Sequence, residues 1–183
     1  MIELFVIPEI ILSLGLLFVI IIDLYLQKNK YISYLLIQLL IIISAYFAVV
    51  GDYFPVYLSY EFSTFTNLIK ILLLISVLII FHYTYRHLEH LNNIKIEYFT
   101  ISLLGLIGTM VMISAYSLLM LYLGIELLSL ALYALIGFNK NSGLASEAAI
   151  KYYVLGAMSS GILLFGISLI YGFTGSINYF EIA

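Results

Sequence analysis

The sequence predicts an all-α fold: a polytopic transmembrane helical bundle of about six helices. Three observations lead there. The 183 residues are 64% hydrophobic and only 9% charged, with a mean hydropathy of +1.18, and a water-soluble domain of this length needs far more polar surface. Apolar residues run in stretches close to the ~20 that a helix needs to cross a bilayer. Within those stretches the hydrophobicity is near-continuous rather than alternating, and Gly and Ser lie inside the runs, which suits helices and not the strands of a β-barrel.

The first span is Glu3–Leu26. It lacks the basic n-region and small-residue cleavage site of a signal peptide, and Pro8 and Glu9 interrupt it, so it reads as a retained helix. The second and third are Ser33–Val50 and Phe65–Tyr85. The fourth and fifth, Glu97–Ala115 and Ser117–Phe138, meet near Tyr116 with almost no linker. The sixth, Glu147–Gly172, carries small residues four apart, Gly156 with Ser160 and Ala157 with Gly161, a spacing that lets another helix approach closely. No internal repeat divides the chain, which reads as one membrane domain over 1–183.

Loop charges predict orientation. Lys28 and Lys30 lie in the first loop, Arg86 and Lys95 in the third and Lys140 in the fifth, whereas the second loop holds Asp52 and Glu61 without a base and the fourth holds no charge. Basic residues mark the inner side, so loops one, three and five lie inside and both termini outside. The second loop, "GDYFPVYLSYEF", has the aromatic character of a lipid-interface segment. Net charge is −3 with no basic tract, which argues against nucleic acid as a partner. The chain has no cysteine, which excludes disulfides, cysteine-ligated Fe–S clusters and thiolate metal sites on it.

Few ionisable residues remain at membrane depth, where each costs about 3 kcal/mol or more at the bilayer centre. Glu126 stands alone in "LYLGIELLSLALYALIGF", about nine residues into its span and so roughly 14 Å deep. A midplane carboxyl that holds or releases a proton is what a proton relay requires; the structural alternative is a protonated Glu bonded to a neighbouring helix. Lys151, about one turn into the last span, either snorkels as an anchor or serves function, and it differs from Glu126 in depth by on the order of 10 Å, too far for a direct salt bridge. Lys70, about six residues into the third span, carries the same two readings. Glu9 and Asp23 lie near span ends and read as anchors; Glu147, at the start of the last span, faces the helix dipole favourably. His82, His87 and His90 in "FHYTYRHLEHLNN" lack an HExxH pattern and read as a polar helix terminus rather than a metal site.

"LYLGIELLSLALYALIGF" followed by "SEAAIKYYVLGAMSSGILLFGISLIYGFTGS" resembles subunit 2 of respiratory NADH:ubiquinone oxidoreductase (complex I), of the antiporter-like family. "PEIILSLGLLFVIIID" and "GLIGTMVMISA" resemble its first and fourth helices. The resemblance covers most of the chain and is most specific in Leu121–Ser176. It implies the N-terminal half of an antiporter-like fold in the mitochondrial inner membrane, with the N-terminus on the intermembrane-space side. It implies that Glu126 and Lys151 match the fifth-helix glutamate and sixth-helix lysine of proton translocation; Lys70 is a candidate accessory from its depth in the third span alone. It also implies that this chain carries no redox cofactor, FMN, Fe–S clusters and ubiquinone belonging to other subunits of the complex.

Family members have about fourteen helices, against the six that fit here. The seventh-helix lysine that pairs with the position of Glu126, and the later channel lysines, are absent. The expectation is therefore an N-terminal fragment of a split subunit 2, completed by a separately encoded C-terminal chain and packed beside other antiporter-like and small membrane subunits and lipids. Tyr116–Ser117 departs from the acidic or amide residue common before the family's fifth helix, so an outer-side proton entry there is not implied. Two alternatives stand: a subunit of a multisubunit cation/proton antiporter working without NADH, or a structural scaffold fragment in which Glu126 is inert.

Overall fold

The computed structural model describes residues 7–25, 30–50, 56–57, 60–61, 63–91 and 95–182. It holds helices α1 (Ile7–Tyr25), α2 (Lys30–Val50), α3 (Thr64–His90), α4 (Ile96–Ile113), α5 (Leu118–Ile136) and α6 (Gly143–Thr174), and a short α7 (Tyr179–Ile182). The first six are each long and apolar enough to cross a membrane. Between α2 and α3 a two-residue antiparallel pair, β1 (Val56–Tyr57) with β2 (Tyr60–Glu61), lies in the stretch read as an interface loop. Lys28, Asp52 and the aromatic side chains of that loop lie outside the described residues.

Six helices lie where six spans are expected, and three of them run longer: α2 starts at Lys30, three residues before Ser33. α3 continues past Tyr85 to His90, since the polar residues there do not interrupt a helix that has already left the apolar zone. α6 starts four residues before Glu147, because Ser142 caps it: its hydroxyl accepts the Ala145 N–H at 3.3 Å. Ser117 caps α5 in the same way through Met120 N–H at 3.2 Å. Ser63 and Thr66 form a reciprocal capping box at the start of α3. Gly175 closes α6 in the left-handed conformation at φ 71°, its N–H bonded to Tyr171 O at 2.8 Å.

The chain forms two compact units. The first is residues 1–55 with 62–103, the second 56–61 with 104–183. In the first, α1, α2, α3 and the start of α4 pack antiparallel in sequence order. Ser44 of α2 donates to Pro8 O at one end, and Ser33 donates to Asp23 Oδ1 at 2.8 Å at the other. At that second end Tyr34 stacks on Tyr85 with centroids 3.8 Å apart, and Phe99 meets Phe81 and Tyr34 edge-on. Lys30, Arg86 and Lys95 flank this same end, at the start of α2, the end of α3 and the start of α4.

In the second unit the later part of α4 meets α5 at backbone contact. A Cβ placed on Gly108 would sit 2.7 Å from Leu128 N and 2.9 Å from Gly124 O. These two glycines let the helices cross with no side chain between them. α5 then packs antiparallel against α6. The segment after α6 folds back, with Leu118 N–H bonded to Ile177 O at 3.0 Å and Tyr116 stacked on Phe180.

Candidate proton site between the fifth and sixth helices

Glu126 lies near the middle of α5, about 12 Å from its first residue at 1.5 Å per residue. It is half-buried, and its carboxylate accepts a hydrogen bond from Ser160 of α6 at 2.7 Å. The Ser160 oxygen lies in turn 3.0 Å from the hydroxyl of Tyr122, one turn before Glu126 on α5. Ser160 has a single proton; with Glu126 as the carboxylate that proton goes to Glu126, and Tyr122 then donates to Ser160. The result is a directed chain from Tyr122 through Ser160 to Glu126.

These groups line an open groove of about 330 Å³ between α5 and α6. Its polar wall also includes Ser129, Tyr133, Tyr152 and Ser159, and its apolar wall includes Ile125, Leu155 and Leu163. Gly156 sets its width, since an added Cβ would lie 1.8 Å from the Tyr133 hydroxyl. Tyr133 in turn meets Tyr152 edge-on with centroids 5.2 Å apart. The small-residue spacing expected on α6 thus faces α5 at Gly156 and Ser160. On the other stripe, Ala157 is exposed and Gly161 has nothing within 4 Å of an added Cβ.

Lys151 is not in this chain of bonds. It is exposed and pairs at 2.5 Å with Glu147, one turn earlier on α6. Nine residues along α6 separate it from Ser160, roughly 14 Å of helix, so the structure agrees that Glu126 and Lys151 make no direct salt bridge. The pairing corrects the role given to Glu147. With α6 starting at Gly143, that carboxylate falls in the second turn and answers Lys151 rather than the helix terminus.

A second correction concerns Glu9. It is not an anchor: it is 4% exposed and lies 2.6 Å from Lys70, itself 1% exposed. The Lys70 ammonium therefore neither snorkels nor reaches the helix end. Charge holds this contact, because neither Glu9 oxygen makes a directed hydrogen bond among the described residues. Sequence reading considered each residue on its own helix; only the packing of α1 beside α3 brings them together. Asp23 sits at its helix end as expected, half-buried and held by Ser33. The three histidines are exposed on the last turns of α3, where Arg86 and Glu89 form a loose 3.7 Å pair.

Fold and groove together define a multi-pass helical membrane protein with one carboxylate hydrogen-bonded at mid-span. Residues 115–183 match the family model described as NADH:quinone oxidoreductase/Mrp antiporter, transmembrane. The chain is 41% identical over 181 residues to NADH-quinone oxidoreductase subunit N of Ruthia magnifica subsp. Calyptogena magnifica, covering 96% of this chain and 37% of that protein. Its fold matches a chain of respiratory complex I from Thermus thermophilus with a TM-score of 0.74 at 24% identity, covering 93% of this chain and 38% of that one. It also matches a chain of an archaeal membrane-bound sulfane sulfur reductase with a TM-score of 0.75 at 22% identity, covering 94% and 38%. The chain is thus similar over nearly its whole length to these membrane subunits, and it spans little more than a third of the length of the curated relative, 37%. The matching relatives are bacterial and carry the designation subunit N, not the mitochondrial-type subunit 2 of the resemblance.

Proposed function

We propose that this chain is part of the membrane arm of an NADH:quinone oxidoreductase and takes part in proton translocation coupled to quinone reduction, with Glu126 as a proton-holding carboxyl. The observation that carries the reading is Glu126 itself: a carboxylate at mid-span, hydrogen-bonded across to α6 in a largely apolar groove that also holds several hydroxyls. So costly a position favours function over decoration. In this reading Lys151 and the accessory Lys70 complete the charged line, and the redox groups reside on other subunits. The subunit is of the subunit 2 type, in the mitochondrial inner membrane with its N-terminus on the intermembrane-space side. The rest of the membrane arm surrounds it.

Replacing Glu126 by Gln keeps the shape and removes the titratable proton. NADH-driven proton uptake by membranes carrying the variant should fall about tenfold or more, while the assembled complex stays at its normal level. Wild-type pumping by Glu126→Gln would falsify the assignment and leave the scaffold role. A second reading has specific support. The matching family model includes Mrp antiporters by its description. Purifying the native assembly separates the two: accompanying flavin and Fe–S proteins favour the first reading, and their absence the antiporter.

A further inference from the structure

We infer that Tyr122 and Ser160 form a hydroxyl relay that carries protons from Glu126 to the end of the groove nearer the start of α5. The inference rests on the reading of Glu126 as a proton-holding group. Three distances and directions carry it. Ser160 Oγ donates to Glu126 Oε2 at 2.7 Å. Tyr122 Oη lies 3.0 Å from Ser160 Oγ, and with Glu126 as the carboxylate the serine proton is already committed, so the tyrosine is the donor. Tyr122, Ser160 and Glu126 all line the same open groove, whose size, about 330 Å³, is enough for several waters at ~30 Å³ each.

The proton count balances without any further reagent. Once Glu126 holds a proton, the two hydroxyls rotate so that the carboxyl donates to Ser160, Ser160 to Tyr122 and Tyr122 to water in the groove. The carboxyl proton then passes to the Ser160 oxygen, the serine's own proton to Tyr122, and the tyrosine's to that water, which carries it away. Both hydroxyls end neutral, the carboxylic acid becomes a carboxylate, and the remaining O–H bonds point from Tyr122 to Ser160 and from Ser160 to Glu126, the order seen in the structure. Neither hydroxyl changes charge in any resting state, so the relay avoids placing a second ion at mid-span, where each charge is costly. It also gives this chain a route on the side where Tyr116–Ser117 offers no acidic residue. There the Ser117 hydroxyl is occupied in capping α5, and Tyr116 is stacked on Phe180.

The packing helps keep the relay in register. Gly156, one turn before Ser160 on α6, is occupied by the Tyr133 hydroxyl, which holds α5 and α6 close enough for Ser160 to span both Tyr122 and Glu126.

The test is made on the assembled complex in native membranes, with proton uptake scored per complex. Tyr122→Phe keeps the ring and removes the hydroxyl; Ser160→Ala breaks the middle link; Ser160→Thr keeps a hydroxyl there. The first two should each slow proton uptake about fivefold, the worth of one lost hydrogen bond. They should also shrink its solvent deuterium isotope effect, with the amount of complex unchanged, and Ser160→Thr should restore both. Glu126→Gln is run in parallel. If it abolishes uptake while Tyr122→Phe and Ser160→Ala run at the wild-type rate, the relay is overturned and the role of Glu126 stands. Slowing by Ser160→Ala alone also overturns the relay, since the path then does not pass through Tyr122. Loss of complex with an unchanged rate per complex means that the hydroxyls only pack. Wild-type uptake by Glu126→Gln removes the underlying reading, and the relay with it.

Discussion

Glu9 and Lys70 show how a charge in the membrane depends on its neighbour. Each is nearly inaccessible, and they lie 2.6 Å apart. Removing Lys70 leaves the Glu9 carboxylate buried without that opposite charge, which costs about 3–5 kcal/mol. Lys70→Met alone should therefore destabilise the protein by that amount, and Glu9→Gln combined with Lys70→Met should recover most of it. Denaturant unfolding of the purified protein in detergent measures both, and equal losses in single and double variants would show that the pair contributes nothing. Glu181, outside the spans, gives a pH-dependent counterpart. Hydrogen bonds from Ser176 and Asn178 hold its carboxyl below the usual carboxylate range. A lowered folded-state value means that these bonds stabilise the turn after α6 above that range, and that the stabilisation is lost as pH falls through it. Protection of the Tyr179 amide, measured relative to its intrinsic exchange rate at each pH, should therefore fall on acidification, and Glu181→Gln should remove that change in protection.

At the scale of the helix, backbone proximity decides which positions tolerate change. On α4, a methyl group at Gly108 meets backbone atoms of α5 at 2.7 and 2.9 Å, and backbone cannot rotate aside. Gly108→Ala should separate the helices and cost about 1–3 kcal/mol. On α6, Gly161 has nothing within 4 Å, so Gly161→Ala in the same detergent-purified chain should be near neutral, with a small gain from lower backbone freedom in the unfolded state. Thermal denaturation of the two variants side by side checks the contrast; equal shifts would mean that the α4–α5 crossing is not held at backbone contact. The difference follows from position, because both glycines sit in helices of similar apolar character and look alike in sequence.

For the whole chain, sidedness is the property that the basic residues set. Lys30, Arg86 and Lys95 gather at one end of the first unit, and Lys140 lies in the α5–α6 turn of the second. The positive-inside rule predicts the inner side for each of these basic segments, an expectation that labelling tests. With no native cysteine, single cysteines report the side cleanly. Asn141→Cys should react with an impermeant thiol reagent only from the inside, and Ser176→Cys only from the outside. Labelling of both from one side would break the six-span topology.

Much of this protein is legible in its sequence. Span number and type, the α4–α5 boundary near Tyr116 and the depth of Glu126 follow from length, hydropathy and 1.5 Å per residue, which act locally along one helix. The resemblance to antiporter-like subunits rests on the contiguous motif around Glu126 and Lys151. Tertiary structure alone decided the partners. It joined Glu9 to Lys70 and tied Glu126 through Ser160 to Tyr122. It also left Lys151 to Glu147 and pressed Gly108 against Gly124. Those pairings are set by how helices rotate about their axes and pack, and near-uniform hydrophobicity around a membrane helix gives little signal of which face turns inward.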